Sequence, residues 1–202
     1  MRSTVTQRVF AGALVMLCFL SGAAAAQDER PASPPGTAST QIGDAWIDVT
    51  YSRPILRGRQ GIFGSGEEYG KKLYAGGPLW RAGANTTTRI KTGLDLEIGG
   101  KRVPAGEYSF FIELKEGAWT AILSNQPYME TFDRAKVDQG QTWGAYGYKP
   151  EHDVVRAPMT VETRASSLDQ MAINFVDVTA EGGTLVVVWD NQAGSLPFKV
   201  AK

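Results

Sequence analysis

From Gly43 onward, apolar and polar residues alternate with a period of two over most of the chain. Ile47, Val49 and Tyr51 interleave with Asp48 and Thr50, and Leu94, Leu96 and Ile98 with Asp95 and Glu97. Tyr108, Phe110, Ile112 and Leu114 alternate with Ser109, Phe111, Glu113 and Lys115. Side chains two apart on an extended backbone share a face, so each run predicts a half-buried antiparallel strand. Thr86 to Thr92, Val154 to Arg164, Met171 to Val178 and Leu196 to Val200 continue the series, with Pro158 favouring an edge or a bulge. The unbroken run Leu185 to Trp189 predicts a central strand buried on both faces. Gly99-Gly100, Glu116-Gly117 and Gly182-Gly183 supply hairpin chemistry between runs. Thr131 to Val137 predicts one helical turn or two. Eight or nine strands at this spacing predict an all-β fold, a single antiparallel β-sandwich of jelly-roll type, with a closed barrel as the alternative.

The alternation is missing at the N-terminus. Arg2 and Arg8 frame a positive start, Val9 to Leu20 is continuously apolar, and small residues run from Ser21 to Ala26. This three-part pattern predicts a secretory signal peptide at residues 1–26, cleaved after Ala26. The apolar run is shorter than the roughly 20 residues that span a bilayer, so no transmembrane anchor is expected after cleavage. The expected location is periplasmic or secreted. Gln27 to Gln41, with Pro31, Pro34 and Pro35, predicts a flexible polar leader before a domain at 42–202. Cys18, the only cysteine, lies in the signal peptide, so the mature chain is expected to be disulfide-free.

Charge changes the picture further. Without Arg2 and Arg8 the chain carries 19 bases against 21 acids, which argues against nucleic acid as a partner. Yet Ala45 to Gly93 holds eight bases and three acids. Within it, Pro54 to Leu79 is glycine-rich and lacks alternation, which marks a long loop of the kind that carries function. Gly64-Ser65-Gly66-Glu67-Glu68-Tyr69-Gly70 approaches a dinucleotide fingerprint, but its third glycine is one residue late and no βαβ unit surrounds it. No phosphate-binding loop, nucleophile elbow, calcium loop or zincin helix occurs. One histidine cannot build a histidine-rich metal centre. No cofactor and no metal are expected.

Arg53, Arg57, Arg59 and Arg81 flank the long loop. Each is either paired with an internal carboxylate or, if they meet in a partly dry cleft, answered by an external anion. In Trp80-Arg81-Ala82-Gly83-Ala84-Asn85, Trp80 suits a core plug or a stacking platform, Gly83 a positive φ, and Asn85 a side-chain-closed turn. Arg81 is the residue that no turn requires. These positions, with Tyr51, define the expected binding residues for a small anionic or saccharide-like ligand held without chemical change. An alternative is a hydrolase or lyase acting on an envelope or exported polymer. There Glu107, His152 or Asp153 would serve as acid or base and Arg81 would stabilise developing negative charge. A structural or partner-binding envelope module is the third reading.

Several elements occur in a specific order: Tyr51-Ser52-Arg53-Pro54, Arg57-Gly58-Arg59, Ile62-Phe63-Gly64, Trp80 to Asn85 and Pro104-Ala105-Gly106-Glu107-Tyr108-Ser109. Trp119-Thr120, Trp143-Gly144 and Asp153-Val154-Val155-Arg156 follow. This ordered set resembles the bacterial family designated domain of unknown function 2911, over nearly all of the chain after the leader. The resemblance implies an exported, mainly β domain and attaches no activity to it. One departure stands out: Lys72 to Leu79 separates Tyr69-Gly70-Lys71 from Trp80-Arg81, so the loop is longer than the family's pattern.

Overall fold

The computed structural model describes residues 31–202, so the expected signal peptide and the first part of the leader lie outside the described residues. Nine strands follow in order: β1 (Pro35–Ile42), β2 (Ala45–Ser52), β3 (Thr88–Thr92), β4 (Leu96–Ile98), β5 (Lys101–Val103), β6 (Gly106–Glu113), β7 (Trp119–Ser124), β8 (Asp153–Thr179) and β9 (Gly182–Val200). A short helix, α1 (Arg134–Asp138), interrupts the connection between β7 and β8. The strands form one antiparallel sheet in the order β1-β2-β3-β6-β7-β8-β9-β4-β5. It is therefore a meander, except that the β4–β5 hairpin crosses over to pair with β9. The expected all-β antiparallel architecture is present.

The sheet becomes two layers because its longest strands bend. β8 pairs with β7 from Asp153 to Met159, then with β9 from Thr160 onward. Register shifts between Thr163 and Leu168 and between Leu168 and Ala172 bend the β8–β9 ribbon. Where β8 changes neighbours it has a free side, and Pro158 sits there, pairing only with Thr120 of β7. Ile47, Ile90 and Leu123 of one layer then meet Leu96, Leu185 and Phe198 of the other. Val154 to Arg164 and Met171 to Val178, expected as separate strands, are two halves of β8, and the polar stretch between them is exposed.

Two expectations are corrected. Residues Pro35 to Gln41, expected as flexible leader, form most of β1 and pair with β2 from Pro35↔Ser52 to Ile42↔Ala45. Small polar side chains weakened the alternation there, although Ala38 and Ile42 are buried. Ser109 and Phe111 were expected to face outward, but β6 is buried on both faces. Its outer face carries Phe111 and, with Ile122 of β7, packs under Leu79 and Ala145. The β7–β8 connection thus lies across the sheet and delivers Trp143 and Gly144 to the end of the sandwich.

The glycine-rich segment is ordered by an aromatic cluster. Phe63 stacks on Trp119 at 5.3 Å and meets Trp80 edge-on at 5.8 Å, while Trp80 stacks on Trp189 at 6.3 Å. The Trp119 indole N–H donates to the Tyr69 hydroxyl at 3.0 Å, and burial raises the Tyr69 pKa. Trp80 is 1% exposed, and its backbone pairs with Ile112 of β6 in both directions. It is a plug.

Candidate functional site

A cleft of about 660 Å³ opens beside this aromatic cluster. Arg57, Arg59, Lys72 and Arg81 line it, together with Asn85 and Trp143. Among the described residues, no aspartate or glutamate lines it. Four cations without a local counter-charge raise the local concentration of anions.

Arg81 forms part of the floor. It is only 4% exposed, and among the described residues it has no ion pair. Its guanidinium donates to the Asn85 carbonyl and lies 5.1 Å from the centroid of the Trp143 ring. Burial lowers its pKa, because desolvation disfavours the charged form. A buried guanidinium without a carboxylate costs several kcal/mol unless an anion or other dipoles answer it. One carbonyl and one ring leave most of its donors to the cleft.

The backbone around Arg81 is shaped for this placement. Ala82 has φ 47° and Asn85 has φ 59°, so the left-handed residues are these two. The expectation of a positive φ at Gly83 is corrected. Glycine is needed there by close approach, since a Cβ would stand 2.9 Å from the Ser52 carbonyl and 3.0 Å from Thr88 Oγ1. Gly144 presents the guanidinium from the other side: a Cβ there would fall 2.4 Å from Arg81 Cζ. The Gly144 carbonyl accepts from Thr87 Oγ1 at 3.1 Å, which ties the covering loop to the strand entry.

Arg57 and Arg59 come from the segment after β2. Arg57 has φ 52° and is exposed, without an ion pair among the described residues. Arg59 curls back, donating from Nε to the Leu56 carbonyl and from Nη2 to the Ile55 carbonyl, both at 2.9 Å. It is partly a turn clamp. The segment is fastened by Asp190, 4% exposed, whose Oδ2 accepts from the Gly61 N–H at 2.9 Å and the Ile62 N–H at 3.3 Å. Its Oδ1 accepts from the Ser167 hydroxyl at 2.8 Å.

Other expected site residues lie elsewhere. Arg53 does not line the cleft; its Nε donates to the Met171 carbonyl at 3.4 Å, and the chain after it pairs with β8 through Pro54 and Leu56. Arg53 closes the seam between β2 and β8. Tyr51 is equally structural, 7% exposed, with its hydroxyl accepting from the Ile173 N–H at 2.9 Å. Trp80 and Asn85 do line the cleft, Trp80 as a packed wall and Asn85 as an exposed rim.

None of the candidate acids and bases lines the cleft. Glu107 pairs with Arg89 at 3.1 Å on β6 and β3. Asp153 accepts from the Tyr148 hydroxyl at 2.6 Å and from Arg156 at 2.9 Å, so it fastens the covering loop to β8. Burial and the Asp153 carboxylate together raise the Tyr148 pKa. His152 contributes its carbonyl, which accepts from the Asn125 N–H at 3.0 Å and Ser124 Oγ at 3.2 Å. Among the described residues, no group of three His, Cys, Asp or Glu side chains is placed to hold a metal, and no helix is long and apolar enough to cross a membrane.

Residues 33–198 match the family described as a protein of unknown function, DUF2911. The chain belongs to that family. No curated protein and no solved structure matches it. The DUF2911 match begins at β1, two residues before Pro35, which agrees with a domain that starts at that strand. Ser33, at its first position, lines the cleft, as do Lys72 and Trp189, which the sequence did not single out. Trp189 sits in an apolar strand, and nothing in its neighbours distinguishes a cleft wall from core.

Proposed function

We propose that this DUF2911 protein is an exported binding protein that holds a small anionic ligand, a carboxylate or a phosphate, in the arginine cleft without transforming it. The observation that carries the reading is Arg81, a buried guanidinium facing a hollow lined by three further cations and no acid among the described residues. Export rests on the three-part pattern of residues 1–26. Catalysis by Glu107, His152 or Asp153 would require one of them at the cleft, and none of the three lines it. A structural module would favour a broad apolar patch, whereas the exposed large hydrophobics Trp46, Phe132 and Val176 belong to three separate segments.

Titration calorimetry with inorganic phosphate and with gluconate tests the proposal. The parent protein is expected to bind at least one of them. Each charge-assisted contact contributes about 1.5–3 kcal/mol, so Arg81→Lys and Arg57→Ala should each weaken binding by roughly tenfold or more. Arg57 is exposed, so its variant should keep the parent's thermal midpoint. An empty titration with both probes, or unchanged affinity in both variants, overturns the reading.

A further inference from the structure

A second hollow of about 380 Å³ abuts the cleft. Three chain segments pass from one to the other. Ser33, Pro54 and Asn85 line the cleft, and Pro35, Ser52 and Thr86 line the second groove. Consecutive Cα atoms are about 3.8 Å apart, so the two hollows are separated by a ridge no more than one or two residues wide.

Their chemistry differs. Thr37 pairs with Thr50, Thr50 with Arg89 and Arg89 with Ser109, so these residues form one row across the outer face of four strands. Arg89 is already answered: it donates to Glu107 at 3.1 Å and Ser109 Oγ at 2.5 Å, and its guanidinium lies 3.8 Å from the Tyr128 ring centroid. The groove is therefore not a second anion site. Thr37, Thr50, Ser52 and Thr86 make no side-chain hydrogen bond among the described residues. Glu130, also on its wall, has no ion pair among them. Unspent hydroxyls that both donate and accept, beside a free carboxylate, suit a polyhydroxylated chain and repel a second anionic group.

Resting on the anion-binding reading, we infer that the ligand is an oligosaccharide with one terminal acid group. The acid occupies the arginine cleft, and the neutral sugar units cross the Asn85–Thr86 ridge into the hydroxyl-lined groove.

The test is calorimetric titration of the parent protein with gluconate, maltobionate and maltotrionate, which share one terminal carboxylate and differ in neutral sugar length, and with neutral maltotriose. Two new hydrogen bonds are equivalent to roughly a tenfold gain in affinity, so maltobionate should exceed gluconate by about that factor. Thr50→Val and Glu130→Ala, both at exposed positions, should leave gluconate affinity unchanged and reduce the gain with length. Equal affinity across the three acids overturns the extension and leaves the cleft reading standing. A length gain that survives in both variants overturns the placement in the groove, and maltotriose binding as tightly as maltotrionate overturns the acid anchor. If neither gluconate nor phosphate binds, the cleft reading fails and this inference with it.

Discussion

Arg81 and Gly144 are fitted to each other. The guanidinium can lie under Trp143 only because residue 144 has no side chain, and φ +58° there would strain any other residue. Gly58 has φ +78°, and a methyl group added to it would meet nothing within 4 Å, so it isolates the backbone effect. Gly58→Ala should cost about 1–2 kcal/mol in a urea melt, the ordinary penalty for left-handed alanine. Gly144→Ala should cost more, because the methyl must also displace the guanidinium, and it alone of the two should abolish phosphate binding. Equal losses and intact binding in both would mean that the contact between Gly144 and Arg81 is unimportant. Gly83 shows the second reason for glycine, close approach, at a position whose φ is ordinary. Sequence marked Gly83 for a positive φ, and only the neighbours across space separate the two causes.

Loops here are positioned by single acids, one within a strand and one just before a strand. Asp190 in β9 holds Gly61 and Ile62, and through them the arm that carries Arg57 and Arg59. Asp190→Ala removes the acceptor that these two donors share. It should lower stability by about 1–3 kcal/mol, the cost of unsatisfied buried donors, and speed amide hydrogen exchange at Gly61 and Ile62. Unchanged exchange there would refute the tether. Asp95 plays a similar part for the β4–β5 hairpin. The Ala105 N–H, then Arg102, lowers its pKa below the ordinary 3.8. A depressed carboxylate adds stability that is fully present above its ordinary pKa and is lost as pH falls through the folded-state value. The stability gap between the parent and Asp95→Asn should therefore be widest near neutrality and shrink on acidification below about pH 4. A gap that is constant with pH would remove the assignment.

For the whole molecule, the decisive element is the edge strand. β1 buries Ala38 and Ile42 and covers β2 along its full length. Burial of an Ile-sized side chain contributes about 1.5–3 kcal/mol, and one kcal/mol shifts Tm by about 2–4 °C for a chain of this size. A chain beginning at Gly43 should therefore melt roughly 10 °C below one beginning at Pro31. Equal melting temperatures would return Pro35 to Gln41 to the status of a dispensable leader.

The residues alone determined the all-β class, most strand positions, three hairpins and the basic character of the long loop, because alternation, turn glycines and charge are local properties. Tertiary structure decided the rest. It joined two runs into β8, because a bent strand loses its burial pattern where it leaves the core. It gave β6 a second buried face through a loop distant in sequence. It also sorted the arginines. Arg57, Arg59 and Arg81 meet around one hollow, while Arg53 turns to the Met171 carbonyl. A guanidinium reads the same in sequence whether it closes a seam or lines a cleft. Which it does depends on the acceptors that folding brings within reach.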